Sequence, residues 1–171
     1  MCDTKIMGVL NLTPDSFYDG NTKLFSDIDL LNDKIDFFKY ADIIDIGCES
    51  SRPGANSISI KEELKRLSVL NKIRIKNKIL SIDSYKPEII EYCLNKGFSI
   101  INDITGGGNN FENINLAKKY SSKIVIMHMQ GKPNSMQINP KYSNIIDELI
   151  DFFVERIDYC KDIGMNLNDV I

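Results

Sequence analysis

Five short segments gather the residues best suited to chemistry. In NLTPDSFYDG, Asn11, Asp15 and Asp19 lie close together. Amide and carboxylate oxygens suit Mg²⁺, which takes oxygen ligands and leaves room for substrate phosphate; a plain polar turn explains the same composition. DIGCESSRPGA places Ser50, Ser51 and Arg52 before Pro53 and Gly54. A guanidinium binds phosphate or carboxylate through paired N–H groups, so an anion site is expected here rather than an incidental surface arginine. SIDSYKPE carries Asp83. Its carboxylate can accept a pair of hydrogen bonds from an amino-pyrimidinone edge, or it can serve only to cap the helix that follows. INDITGGG carries Asn102, which is both donor and acceptor and can read a heterocycle edge or simply satisfy nearby backbone. Its three glycines match no dinucleotide fingerprint and are expected to form a loose loop. MHMQG holds Met127, whose thioether can lie against a flat ring, and His128, the only histidine. His128 is expected to support the site rather than catalyse, and nothing nearby resembles a nucleophilic triad. The cysteines, Cys2, Cys48, Cys93 and Cys160, contain no C-x-x-C pair, so a zinc site is not expected.

These segments follow β-branched runs at Ile6 to Asn11, Ile43 to Gly47, Ile79 to Asp83, Ser99 to Ile104 and Lys123 to His128. Near-continuous apolar runs are typical of parallel strands covered on both faces. Helical spacing occupies the intervals: Asp27 to Tyr40, Ile60 to Ile75, Pro87 to Asn95, Asn113 to Tyr120 and Ser143 to Ile163. In the last, Ile146, Leu149, Phe153, Ile157 and Cys160 form one stripe, read as core packing. The result is α/β, with about five βα units in one domain. An open doubly wound sheet and part of a (β/α)₈ TIM barrel both accept that count. The polar residues favour the incomplete barrel. An open sheet concentrates its site at one switch point, whereas here every strand ends in a polar group, and a barrel gathers all strand ends at one mouth.

The chain of 171 residues is 43% hydrophobic and 26% charged, with a formal net charge of -3. That balance fits a globular domain and argues against a nucleic-acid partner held by bulk charge. No run approaches the ~20 apolar residues of a membrane span, and the start lacks a secretory signal. A cytoplasmic protein with reduced thiols is the expectation.

Taken together, NLTPDSFYDG, DIGCESSRPGA, SIDSYKPE, INDITGG and MHMQGKPNSMQ resemble the successive motifs of the dihydropteroate synthases, in order and over nearly the whole chain. The resemblance implies a transferase of folate biosynthesis, the sulfonamide target. It joins p-aminobenzoate to 6-hydroxymethyl-7,8-dihydropterin pyrophosphate, forming 7,8-dihydropteroate and releasing pyrophosphate. It assigns Mg²⁺ and pyrophosphate binding to Asn11, matches Asp19 to the later first-loop acid, and matches Arg52 with Ser51 to the pyrophosphate and aminobenzoate end. Phe17 and Pro53 match residues enclosing the aminobenzoate ring. Asp83 and Asn102 match contacts to the pterin edge, and Ile104 and Met127 match apolar contacts to the pterin. Cys48 stands where the family commonly has glycine; Ser51 and Ser84 stand where it commonly has threonine.

The family's later motifs, an Asp-Pro-Gly, a Ser-Arg-Lys and an Arg-x-His segment, do not occur. They supply a further pterin carboxylate, a pterin lysine and the main pyrophosphate anchors. The expectation is therefore a pterin-binding domain over residues 1–171 truncated at its C-terminal end, where a sixth strand should begin, inactive alone and a homodimer at full length. Two alternatives stay open: a pterin-dependent methyltransferase, against which NLTPDSF and ESSRPGA argue, and a non-catalytic pterin-binding partial barrel.

Overall fold

The computed structural model describes residues 4–13, 28–50, 57–73, 75–131, 136 and 139–171, the side chain of Leu30 excepted. Within them the β-branched runs form the strands β1 (Met7–Asn11), β2 (Ile43–Gly47), β3 (Ile79–Asp83), β4 (Ile100–Asp103) and β5 (Lys123–Ile126). The helices are α1 (Ile28–Phe37), α2 (Ile60–Leu67), α3 (Pro87–Asn95), α4 (Glu112–Tyr120) and α5 (Ile145–Asp162). Local chemistry sets their starts. Ser59 caps α2 by accepting from the Glu62 N–H, Pro87 opens α3 where a missing N–H costs nothing, and Asn144 caps α5 by accepting from the Ile146 N–H. The helical spacing over 27–40 and 60–75 resolves into α1 and α2 with tight 3₁₀ turns at Phe38–Tyr40 and Ser68–Lys72.

The sheet is parallel throughout, with strand order β1-β2-β3-β4-β5. This order separates the two candidate architectures. A flavodoxin-type sheet puts β1 in the interior and helices on both faces. Here β1 pairs with β2 alone among the described strands, and each crossover steps one strand in the same direction. Right-handed crossovers then place every helix on one face, as in a barrel. The described arc is not closed.

That face carries the core. Leu10, Ile44, Ile46, Ile82, Ile101 and Ile124 are buried beneath the helices, each contributing roughly 1.5–3 kcal/mol of apolar burial. The alternate residues point to the concave face, where Met7 and Val9 are 38% and 54% exposed. Beyond α5, Val170 makes a parallel bridge to Ile124, and Ile171 exchanges backbone hydrogen bonds with Ile124 and Ile126. The segment thus lies alongside β5, where a sixth strand is expected.

The stripe on α5 corrects its sequence reading. Cys160 is buried, but Ile146 is 61% and Phe153 36% exposed, and Ile145, Ile150 and Val154 are exposed with them. The face that meets the body runs through Phe152, Tyr159, Cys160 and Ile163. α5 is apolar over a wide arc. Periodicity identifies that arc but not which side of it finds a neighbour.

Candidate functional site

Strand register brings the polar ends of β1, β3 and β4 together. Asn11 lies beside Gly47, Gly47 beside Asp83, Asp83 beside Asn102, and Asn102 beside Val125. With a side-chain period of two, these five positions form one tier on the concave face at the C-terminal ends of the strands. Gly47 makes room for that convergence. A Cβ there would stand 3.0 Å from Asp83 Oδ2 and 3.2 Å from Asn11 Oδ1. The missing side chain leaves the amide oxygen and the carboxylate flanking the same small space.

Asp83 is held in an unusual state. Burial and the neighbouring carboxylates of Asp45, Glu63, Asp103 and Glu49 raise its carboxyl from an ordinary 3.8 to about 7. Near neutral pH it is divided between an acceptor-only carboxylate and a carboxylic acid that can also donate. It does not cap α3. The N-cap is Lys86, and no side chain makes a cap hydrogen bond there.

Beneath the tier lies Asp45, 3% exposed, whose Oδ2 accepts from Asn102 Nδ2 at 2.9 Å. Its Oδ1 has no partner among the described residues, and neither has the buried hydroxyl of Ser81, its register neighbour on β3.

A charged network joins the loops after β2 and β3. Lys86 Nζ donates to Glu49 Oε2 at 2.5 Å, to Glu63 Oε2 at 2.6 Å and to the Ile58 carbonyl at 2.8 Å. Glu49 also accepts from the Tyr85 hydroxyl and the Ile58 N–H, and Glu63 accepts from the Ser84 hydroxyl. Burial disfavours the ammonium, but the bonds to Glu49 and Glu63 prevail and hold Lys86 above its ordinary value. One ammonium thereby fixes residues on both sides of segment 51–56.

Asp103 points the opposite way and is fully buried. It accepts from the Thr105 N–H and hydroxyl, the Gly107 N–H and Asn113 Nδ2, at 2.6–2.9 Å. This overturns the expectation of a loose glycine loop. A Cβ on Gly106 would meet Phe152 Cζ at 2.5 Å, and one on Gly107 would meet Ile114 Cδ1 at 2.7 Å, at φ of 69° and 109°. The glycines allow close packing and a left-handed backbone together. Arg156 closes the arrangement, donating to the Gly106 carbonyl at 2.7 Å with its guanidinium 3.3 Å from the Phe152 ring centre. His128 meets the same ring edge-on at 4.8 Å and lies 6.0 Å from Tyr142.

Of the residues singled out in the sequence, Asn11, Asp83 and Asn102 therefore share one tier. Ile104 follows β4 directly and is half-buried; Met127 follows β5 and is exposed. Phe17, Asp19, Ser51, Arg52 and Pro53, with Asp15, lie outside the described residues. Asp45, Glu63 and Lys86 were not singled out. Lys86 had a faint signal, three residues after Asp83 in SIDSYKPE; buried Glu63, on an otherwise charged helix, had none. Among the described residues no three His, Cys, Asp or Glu side chains group as a metal site. Cys48, Cys93 and Cys160 are buried and unpaired, and burial raises all three thiols, Cys93 to about 12. They serve as apolar packing. No described helix is long and apolar enough to cross a membrane.

The family described as Pterin binding enzyme matches residues 7–171. Dihydropteroate synthase of Escherichia coli K12 is 38% identical over 170 residues, covering 94% of this chain and 57% of the relative. The solved structure of Yersinia pestis dihydropteroate synthase with a sulfonamide drug complex superposes with a TM-score of 0.79 at 34% identity, covering 97% of this chain and 61% of that one. Burkholderia cenocepacia dihydropteroate synthase complexed with 7,8-dihydropteroate superposes with a TM-score of 0.76 at 32% identity, covering 99% and 57%. The chain thus spans little more than half the length of these relatives. With its sequential parallel arc and its polar tier at the strand ends, this chain belongs to the pterin binding enzyme family.

Proposed function

We propose that these residues form part of a dihydropteroate synthase, within a (β/α)₈ domain to which further βα units contribute. The observation that carries the reading is the shared tier of Asn11, Asp83 and Asn102 around Gly47. An aminated bicyclic ring presents several N–H donors on one edge, and an amide beside a carboxyl that titrates near neutrality suits such an edge. The relatives' lengths support the larger domain, and the Burkholderia protein's dihydropteroate supports the substrate class.

In the proposed reaction the bond between the pterin methylene carbon and the pyrophosphate oxygen breaks. The aminobenzoate nitrogen bonds to that carbon and loses a proton, and the oxygen's electron pair leaves with pyrophosphate. Asp83 and Asn102 hold the ring and Ile104 and Met127 flank it. Phe17, Ser51 and Pro53 are assigned to aminobenzoate. Arg52 is assigned to the pyrophosphate end, where fixed positive charge stabilises the leaving group, and Asp19, the later first-loop acid, is kept as a catalytic residue. The buried Lys86 network supports this assignment by anchoring both approaches to segment 51–56. Mg²⁺ fits the donor chemistry: Asn11 offers a hard amide oxygen beside Asp83, and Mg²⁺ commonly takes few protein ligands plus phosphate. When bound, it supplies positive charge against the pyrophosphate oxygens. Cytoplasmic location and a homodimer complete the proposal; the buried, unpaired thiols support the first.

The test is synthesis of dihydropteroate by the full-length protein from the two substrates. Expected are turnover by the parent, its loss in Arg52→Ala, and no turnover by the 171 residues alone. Calorimetry separates the methyltransferase alternative. Binding of methyltetrahydrofolate, with none of aminobenzoate in the presence of pyrophosphate, would reject the synthase.

A further inference from the structure

Lys86 takes no part in the reaction proposed above, yet its ammonium is fully used. Its three N–H donors meet three acceptors on separate stretches of chain. These are Glu49 Oε2 at 2.5 Å, just after β2; the Ile58 carbonyl at 2.8 Å, just before α2; and Glu63 Oε2 at 2.6 Å, on α2. The Ile58 N–H also donates to Glu49 Oε2, at 3.0 Å. Glu49 and Ile58 stand nine residues apart at the two ends of one loop, and both are tied to the same ammonium. Lys86 thereby closes the neck of the loop whose sequence contains Ser51, Arg52 and Pro53.

The neck and the strand-end tier are held by different forces. β2 ends at Gly47 and α2 begins at Ile60, so neither a sheet ladder nor a helix ladder reaches Glu49 or Ile58. Asp83 and Asn102, by contrast, are set by the register of β2, β3 and β4, to which the Lys86 ammonium contributes no bond. Charge sharpens the dependence of the neck on Lys86. The side chains of Glu49 and Glu63 are largely buried and converge on one nitrogen. Without the ammonium, two buried carboxylates face each other uncompensated, and their repulsion drives the exit of β2 away from α2.

We infer that Lys86 is a positioning residue for the aminobenzoate and pyrophosphate end of the site: it fixes the neck of the loop after β2, while the pterin end depends on the sheet. The inference rests on the proposed synthase and deepens it. Lys86 acts through the loop rather than on the reacting atoms.

The test uses the full-length protein and two readouts. One is the KM for aminobenzoate in the complete reaction. The other is the Kd of 6-hydroxymethyl-7,8-dihydropterin, which lacks the pyrophosphate, measured by calorimetry. In Lys86→Met the aminobenzoate KM should rise roughly 10- to 100-fold, as for groups displaced by about 1 Å, while the pterin Kd stays within about threefold of the parent. Lys86→Arg keeps the charge but spreads its donors in a plane, and should recover part of the loss. A merely structural role would lower kcat through the folded fraction and leave KM unchanged, or would weaken both ligands alike; either result overturns the inference. If the parent forms no dihydropteroate from the two substrates, the proposed function fails first and this inference with it. Should Lys86→Met not fold, Glu49→Ala decides. It opens the neck while Lys86 keeps Glu63 as its partner, so that no buried charge is stranded. The same selective rise in KM supports the inference, and an unchanged KM overturns it.

Discussion

Asp83 and Asp103 end adjacent strands one position apart in register, yet they occupy opposite worlds. Asp103 lies on the helix side and takes four hydrogen bonds from its own loop and from Asn113. Asp83 lies on the concave side, faces other carboxylates, and holds its proton to about pH 7. A carboxylate saturated by backbone and side-chain donors organises structure, because its charge is already spent on partners that cannot leave. A carboxylate destabilised by burial and like charge stands ready for a ligand that brings its own donors.

That contrast can be broken by substitution. The largest effect is expected from Asp103→Ala, which strands several buried donors at once: a loss on the order of 3–5 kcal/mol in urea unfolding. A loss below ~1 kcal/mol would mean that the loop does not depend on it. Lys86→Met should follow at roughly 3 kcal/mol, since Glu49 and Glu63 are left buried without their cation. Lys86→Arg should recover part of this; full stability in Lys86→Met would show the network to be dispensable.

Asp83→Asn should move the opposite way, and its sign is fixed by pH. The folded carboxyl titrates at about 7 rather than 3.8, so the fold favours the protonated form. Stability of the parent should fall as pH rises from about 4 to about 7, and this loss should be complete above that range. Asp83→Asn carries no charge to penalise and should lack that fall, being more stable than the parent by on the order of 1–4 kcal/mol at pH 8. Parallel stability curves for the two proteins would remove the case for a strained carboxylate. The smallest effect is expected from Ile146→Gln on the exposed face of α5, within about 0.5 kcal/mol of the parent in the same assay. A loss of ~2 kcal/mol would restore the core reading of that stripe.

Much of the architecture was legible before any coordinates. The five β-branched runs become the five strands with ends shifted by no more than two residues, and Pro87 marks the start of α3. Strand ends are readable because a buried parallel strand must be apolar, and the first polar residue after it marks the mouth. The glycine loop and the α5 stripe were misread for one shared reason. Glycine composition and apolar periodicity describe what a segment permits, while packing against Phe152, Ile114 and Arg156 decides what it does.

By itself, the sequence determined the alternation of strand and helix, the polar groups closing β1, β3 and β4, and the succession of motifs that marks the family. Those features are written in neighbouring residues, where backbone preference and side-chain period act over a few positions. Only the tertiary structure decided that β1 pairs with β2 alone among the described strands, that Asp45 lies under Asn102, that Glu63 shares Lys86 with Glu49, and that Asp83 keeps its proton toward neutrality. Each depends on charges and donors contributed by separate βα units. Their energies come from distance and burial, which exist only once the chain has folded.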